Sequence, residues 1–430
     1  MKIQKLFALI LTLGIAMLQS YGANAQTKLP VIRSGTADIS IRDGKELSKN
    51  TWHLNPQTKP DTYFVQVPRG NRKVTFITDK DSISFVPTYG KTYDFIVLLN
   101  GKDSCLTRIS ANYDGTIEPV QASNRKAAAD TIPFFMKKSR IYFKGKLNGN
   151  KDFNIMFDLG AGMTCINSKS VSRSGIKFDG KINVQNTSGT NSEPTGSSNM
   201  LELGTMKWNK VPIVQVHNMD ESEDMIVGNT LFRDKIVEID YDKKIVILSD
   251  SLTKDVSGYS AHNVTYYQQR PRFEMDVKVG TKYYPFHFLF DTGRDGTMLI
   301  GEDFTAEYNL WDQYRSVLTL GNKKIVVIPE VRIGKRVFRD IVTNANNPQH
   351  PNGKQSLMGN EVLNQFNVIL DNHSGTIYLK PNGLQNEDYA TYKEFKTQAM
   401  LIIAAIIVVL GLIVFGIRKW LKYRKTKRNA

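Results

Sequence analysis

Short segments in which apolar and polar residues alternate run along the N-terminal quarter of the chain, separated by turn-forming residues. The clearest of these segments are residues 62–67, 73–77, 82–86 and 92–99. Alternation with a period of two predicts β-strands, and several short strands at this spacing are typical of a sandwich. We therefore predict an N-terminal β-sandwich domain at residues 26–120, followed by a polar, Ala-rich linker at residues 121–135.

Two longer apolar runs break this alternation, one at each end of the chain. The first, residues 6–18, follows Lys2 and Lys5 and precedes small residues that end at Ala25. This order predicts a cleavable signal peptide at residues 1–25, since the run is shorter than the ~20 residues that a spanning helix needs. The second run, residues 399–417, is uncharged and long enough to cross a bilayer. It predicts one C-terminal transmembrane helix.

The charge distribution predicts the orientation of that helix. The tail that follows it, residues 418–430, contains seven basic residues and no acidic one. Positive charge stays on the cytoplasmic side, so we expect residues 26–398 to lie outside the cytoplasm. A Gram-negative inner membrane with periplasmic domains fits this prediction, as does the outer face of a cell with a single membrane. Without the tail and signal peptide, the formal charge of +16 falls to +7, too weak a bias to indicate nucleic acid.

Cysteine and histidine usage gives no sign of a metal or a cofactor. The two cysteines, Cys105 and Cys165, fall in different predicted domains, so we expect two buried free thiols. The six histidines are scattered without metal-ligand spacing, and no nucleotide-binding or serine-hydrolase motif is present. We therefore predict no metal and no cofactor.

Residues 136–382 contain an internal repeat. In each copy an apolar strand ends in Asp-x-Gly. The first copy begins at Arg140 and the second at Arg272. Asp158 is followed 70 residues later by Gly228, and Asp291 is followed 68 residues later by Gly359. In both copies that Gly follows a pair of apolar residues. Two homologous units, at residues 136–250 and 266–382, explain this pattern.

This repeated motif resembles that of the retropepsin and pepsin clan of aspartic peptidases, and the length of each unit is similar to bacterial retropepsin-like aspartyl proteases. The resemblance implies a mainly β fold, in which two β-barrel lobes meet with one Asp each at their seam. It implies that Asp158 and Asp291 are the catalytic pair. It also implies a flap at residues 186–198 and a supporting loop formed by Gly160, Thr292, Gly293, Gly228 and Gly359.

Paired carboxylates suit peptide hydrolysis because two of them in close contact cannot both ionise, and so they share one proton. The ionised group takes a proton from water while the protonated group polarises the scissile carbonyl. Such a pair titrates as a unit, so neither aspartate is assigned as acid or base from the sequence. The predicted function is that of a membrane-anchored aspartic-type endopeptidase acting on peptide or unfolded protein bound as an extended strand.

Two residues depart from the family pattern. Leu159 occupies the position of the first Thr, which removes one hydroxyl, and Arg294 occupies a position where small residues are usual. A cation beside Asp291 favours its ionised form, although the neighbouring Asp295 is placed to neutralise it. These departures favour the alternative function of a catalytically degenerate binding or assembly protein, whereas the retention of both aspartates favours the enzyme.

Three further alternatives remain open at this point. Single units pair between chains in retropepsins, although two half-sites in one chain make that unnecessary. Cys165 follows the first Asp loop, where a core side chain is expected, and it has no neighbouring His to make it a nucleophile. Phe157, Phe290 and Met298 lie near the loops, where they either contact apolar substrate side chains or belong to the core.

Overall fold

The computed structural model describes residues 29–44, 46–65, 73–87, 91–110, 118–119, 129–186, 189–233, 235–351 and 353–428. The predicted signal peptide and residues 121–128 of the predicted linker lie outside the described residues. The described part is mainly β and has one long apolar helix near the C-terminus, which confirms the predicted fold class at this level.

The N-terminal strands form two four-stranded sheets, with the strand orders β1-β7-β8-β4 and β3-β2-β5-β6. Apolar residues from both sheets pack into one core, in which the rings of Phe76 and Phe95 lie 5.1 Å apart. The strands are β1 (Val31–Ser34), β2 (Asp38–Asp43), β3 (Glu46–His53), β4 (Gln57–Phe64), β5 (Val74–Ile77), β6 (Ser82–Phe85), β7 (Thr92–Leu99) and β8 (Asp103–Ser110).

A short strand, β9 (Glu118–Pro119), precedes the first repeat, a name we use for residues 129–249. The repeat also contains two 3₁₀ turns, Ser168–Arg173 and Asn229–Leu231. Its strands are β10 (Ala129–Pro133), β11 (Phe135–Lys137), β12 (Arg140–Leu147), β13 (Asn150–Phe157), β14 (Thr164–Asn167), β15 (Gly180–Asn186), β16 (Gly189–Leu203), β17 (Met206–Val216), β18 (Met225–Val227), β19 (Ile236–Asp240) and β20 (Ile245–Ser249).

The second repeat, residues 260–381, contains two short helices, α1 (Glu302–Glu307) and α2 (Asn360–Leu363). Its strands are β21 (Ser260–Tyr267), β22 (Arg270–Val279), β23 (Lys282–Asp291), β24 (Met298–Leu299), β25 (Arg315–Leu320), β26 (Lys323–Ile333), β27 (Arg336–Asn346), β28 (Leu357–Gly359), β29 (Phe366–Asp371) and β30 (Thr376–Pro381).

Both repeats place a short strand beside the strand that ends in the Asp loop. In the first, β18 runs parallel to β13 and antiparallel to β14. In the second, β28 runs parallel to β23 and antiparallel to β24. Tyr142 lies opposite Met156 and Arg272 lies opposite Leu289, each two residues before the Asp. The structural counterpart of Arg140 is therefore Arg270, which corrects the sequence alignment of Arg140 with Arg272.

One set of six strands joins the repeats, in the order β10-β20-β19-β29-β30-β21. The central pair, β19 and β29, is antiparallel, and the order is symmetric about it. Strand β10 comes from the end of the predicted linker and pairs with β20. We call this set the seam sheet. Because it draws strands from both repeats, backbone hydrogen bonds fix how the repeats meet.

Helix α3 (Tyr392–Arg428) follows the second repeat and contains the predicted span, residues 399–417. Among the described residues it is the one helix long and apolar enough to cross a membrane. Its apolar side chains are exposed, as with Leu401 and Phe415. At its start, the Arg315 guanidinium lies 4.9 Å from the ring centroid of Tyr392.

Candidate active site

The two Asp loops begin where β13 and β23 end. Asp158 directly follows β13, and its N–H donates to the carbonyl of Val227 at 2.9 Å. Asp291 is the last residue of β23 and lies opposite Gly359 of β28. In each loop the second residue after the Asp turns its N–H back to the carboxylate: Gly160 to Asp158 at 2.7 Å, and Gly293 to Asp291 at 3.1 Å.

The two carboxyl groups face each other across these loops. A Cβ atom added to Gly160 would lie 2.8 Å from the carboxyl carbon of Asp291 and 3.0 Å from Oδ1 of Asp158. A Cβ atom on Gly293 would lie 2.5 Å from Oδ2 of Asp158. Both glycines are therefore required sterically, since any side chain would occupy the space where the carboxyls meet. The structure thus brings together predicted site residues that are 133 positions apart.

The side chain of Thr292 links the two Asp loops. Its buried hydroxyl accepts a hydrogen bond from the N–H of Leu159 at 3.0 Å and donates one to the carbonyl of Phe157 at 2.8 Å. Leu159 has no hydroxyl to return this contact, and its side chain is buried in the core. We call the two hydrogen bonds of the Thr292 hydroxyl the brace, and it is one-sided because only the second Asp loop supplies a hydroxyl.

Gly228 and Gly359 lie directly behind the loops. A Cβ atom on Gly228 would collide with the carbonyl oxygen of Ala161, and one on Gly359 would collide with the carbonyl oxygen of Gly296. A Cβ atom on Gly359 would also lie 3.1 Å from Cγ of Arg294. A side chain at either position would therefore force the adjacent Asp loop to move.

Burial and mutual repulsion shift the acidity of the pair. Burial, followed by the charge of Asp291, raises the pKa of Asp158 well above its usual range. Burial also raises the pKa of Asp291, while the hydrogen bond from Asp158 and the charge of Arg294 act in the opposite direction. Both pKa values are therefore raised, as expected of a pair that shares one proton.

Asp295 does not neutralise Arg294, so that sequence-based expectation is wrong. Oδ2 of Asp295 lies 3.0 Å from Nζ of Lys138, and Oδ1 accepts from the Ser139 hydroxyl at 2.8 Å. Arg294 instead donates to the carbonyl of Met298 at 3.3 Å. The charge of Arg294 thus remains available to Asp291.

A cleft of about 430 Å³ opens over the pair. Besides both aspartates, it is lined by Arg140, Arg270, Arg294 and Gln355, among others. Arg140, Arg270 and Gln355 were not predicted as site residues. Arg270 follows the Gln268-Gln269 turn in the sequence, and this turn directs it toward the first Asp loop only when β21 and β22 are paired.

Several sequence candidates belong to the core. Phe157, Phe290 and Met298 are all buried and contribute to the main apolar cluster. Cys105 and Cys165 are free and buried, as predicted. Burial, with a contribution from the charge of Asp158, raises the pKa of Cys165 to about 12, so its thiolate is not accessible at neutral pH.

The predicted flap corresponds to the hairpin of β15 and β16, in which Asn186 pairs with Gly189. The tip, residues 187–188, lies outside the described residues. The described residues that line the cleft come from other elements, so the flap stays a prediction. Within the described part of the chain, no group of three or more His, Cys, Asp or Glu side chains has the geometry to hold a metal ion.

A family model described as aspartyl protease matches residues 143–231, which include Asp158, Gly160 and Gly228. This match confirms the resemblance to aspartic peptidases and supports an enzyme of the aspartic-endopeptidase type. Among solved structures, the chain is similar to the aspartic proteinase from Irpex lacteus, with 12% identity and a TM-score of 0.42. That likeness covers 60% of this chain and 99% of the proteinase. Comparison with curated protein sequences gives no significant match.

Proposed function

We propose that this protein is a membrane-anchored endopeptidase in which Asp158 and Asp291 form one catalytic pair. The observation that carries the proposal is the meeting of two carboxyls, one from each repeat, in an open cleft. Their raised pKa values give the shared proton that peptide hydrolysis by this route requires. Because one chain supplies both carboxyls, no second copy is needed to complete the pair.

In the proposed mechanism a water molecule lies between the two carboxyls. Asp291, whose negative charge the nearby Arg294 favours, takes a proton from the water as the water attacks the peptide carbonyl. Asp158 donates a hydrogen bond to the carbonyl oxygen and then transfers its proton to it, giving a tetrahedral intermediate. Asp291 finally protonates the leaving amine while Asp158 takes back a proton from a hydroxyl of the intermediate, and the C–N bond breaks without a covalent enzyme intermediate. The N–H groups of Gly160 and Gly293 orient the carboxylates throughout.

The domain arrangement in this proposal follows the sequence predictions. A β-sandwich at residues 26–120 precedes two lobes, at residues 136–250 and 266–382, and the substrate lies between the lobes as an extended strand. The lobes lie outside the cytoplasm and the basic tail inside, because the tail contains seven basic residues and no acidic one. The substrates in this arrangement are exported peptides or unfolded proteins.

Cleavage of an unfolded protein by the full-length chain in detergent micelles, between about pH 3 and 7, tests the proposal. We expect Asp158→Asn and Asp291→Asn each to abolish cleavage, and a statine-type inhibitor to block the wild type. Asp312→Asn is the matched control, since that carboxylate is 95% exposed and lies outside the cleft lining. Equal cleavage by all three variants would refute a two-carboxyl site.

The second candidate function is a degenerate binding or assembly protein that retains the cleft but does not cut. The one-sided brace at Leu159 and the cation at Arg294 favour it. A folded wild-type protein that binds peptides but cleaves none at any pH would establish this alternative.

A further inference from the structure

The cleft contains two arginines that form no ion pair within 4 Å among the described residues, although Asp291 lies within electrostatic reach of both and Glu361 within reach of Arg294. Arg270 donates to three neutral acceptors: the carbonyl of Tyr267 at 3.3 Å, Oε1 of Gln268 at 3.0 Å and Oε1 of Gln355 at 3.3 Å. Arg294 donates to the carbonyl of Met298, and its Nε is buried with no partner in the described part of the chain. A partly buried cation that no carboxylate contacts directly is costly, so its presence here calls for an explanation.

The repeat shows where the missing partner of Arg270 would be. Its counterpart Arg140 lies within electrostatic reach of Asp295, four residues after Asp291, and forms a 2.8 Å ion pair with Glu223. The residue four positions after Asp158 is Gly162, which has no side chain. A Cβ atom on Gly162 would lie 3.8 Å from Cδ of Arg270. The positions equivalent to Asp295 and Glu223 are Gly162 and Lys354, so neither gives Arg270 an acidic partner.

Both guanidinium groups lie close to the reacting carboxyls. Arg270 is within electrostatic reach of Asp158 and Asp291, and Arg294 is within reach of Asp291. Nη1 of each arginine has no hydrogen bond within the described residues and is not buried. Because both arginines line the cleft that opens over the carboxyl pair, a peptide held at the pair would pass them.

We propose that Arg270 and Arg294 bind a carboxylate of the substrate, so that the enzyme selects peptides with Asp or Glu beside the scissile bond. This inference rests on the proposed function and adds to it a substrate class. An arginine fork binds a carboxylate through two parallel hydrogen bonds, and a partly desolvated site strengthens them. The chain-end carboxylate of a peptide has the same chemistry as an acidic side chain and is the second possible source.

The test compares octapeptides that differ only by Glu or Gln at the two positions flanking the cleaved bond, each made with a free and an amidated C-terminus. With the full-length protein in micelles, we expect kcat/KM to be about 10- to 100-fold higher for the Glu peptides. Arg270→Gln and Arg294→Gln should each remove most of that preference, and Arg294→Lys should restore part of it. A preference that depends on the free C-terminus instead would assign the site to the chain end.

Arg339→Gln is the matched control, because Arg339 is exposed and does not line the cleft. Each variant is compared at its own pH optimum, since loss of either cation also alters the pKa of the pair. Cleavage without any Glu preference would overturn this inference and leave the proposed function intact. If nothing is cleaved, the proposed function fails. The inference is then tested by fluorescence anisotropy with the same peptides carrying a fluorophore. Tighter binding of the Glu peptide than of the Gln peptide supports the inference, and equal binding overturns it.

Discussion

Replacement of Thr292 by Val should destabilise the two repeats together. The hydroxyl satisfies two buried backbone groups, the N–H of Leu159 and the carbonyl of Phe157. Leaving each unsatisfied costs about 1–3 kcal/mol, and the added buried methyl group offsets about 1 kcal/mol. The net loss is about 3 kcal/mol in the free energy of unfolding. With a urea dependence of about 3 kcal/mol per M, the midpoint should fall by about 1 M.

The assay is urea unfolding of the full-length chain in micelles, followed by tryptophan fluorescence. Trp52 and Trp420 are replaced by Phe, so that the signal comes from Trp208 and Trp311, which contact the main apolar core. Thr292→Ser keeps the hydroxyl and should lose much less stability than the Val variant.

Thr253→Val is the control for a general effect of replacing Thr by Val, because Thr253 is exposed. This variant should have the same urea midpoint as the wild type. A Thr292→Val midpoint within about 0.2 M of the wild type would refute the reasoning, since it would mean that the brace contributes nothing.

Three further predictions concern acidity, steric fit and thiol reactivity. Because the pKa of Asp158 is raised in the folded protein, ionisation of Asp158 destabilises the fold above about pH 4. Asp158→Asn should therefore raise the urea midpoint at pH 7 and leave it unchanged below about pH 3. An equal rise in the midpoint at both pH values would contradict this prediction. Gly228→Ala places a methyl group against the carbonyl of Ala161, so we expect a lower melting temperature and slower peptide cleavage. Gly280→Ala is the control, because Gly280 lies at a turn with positive φ and open space around it, so this variant tests backbone strain alone. Cys165 should not react with a thiol reagent at pH 8 until urea unfolds the protein, because burial raises its pKa to about 12. Mass spectrometry measures the labelling, and rapid labelling of Cys165 in the native protein would show that the first Asp loop opens.

The sequence predicted those features that depend on local pattern. Apolar runs that end in Asp-x-Gly indicated the strands that lead to Asp158 and Asp291. The resemblance to aspartic peptidases implied that Gly228 and Gly359 would lie behind the loops. The departure at Leu159 was also visible, and the structure shows its result as a one-sided brace.

The remaining features depend on which strand edges meet, which local pattern does not encode. Strand β10 lies in a segment predicted as linker, yet it pairs with β20 of the seam sheet because that edge is available. Asp295 bonds to Ser139, 156 residues away, instead of to the adjacent Arg294. Arg270 enters the cleft because the Gln268-Gln269 turn has two residues with positive φ. None of these contacts has a signature within a short window of sequence.

The seam sheet has a consequence for how substrates of different size can be accommodated. Its central ladder joins β19 and β29 from Ile236 opposite Asp371 to Ile239 opposite Val368. Moving the repeats apart at this ladder would break several backbone hydrogen bonds at once, so the ladder keeps the two Asp loops at a fixed separation. Under the proposed function, a bulkier peptide is therefore admitted only by movement of segments outside the seam sheet.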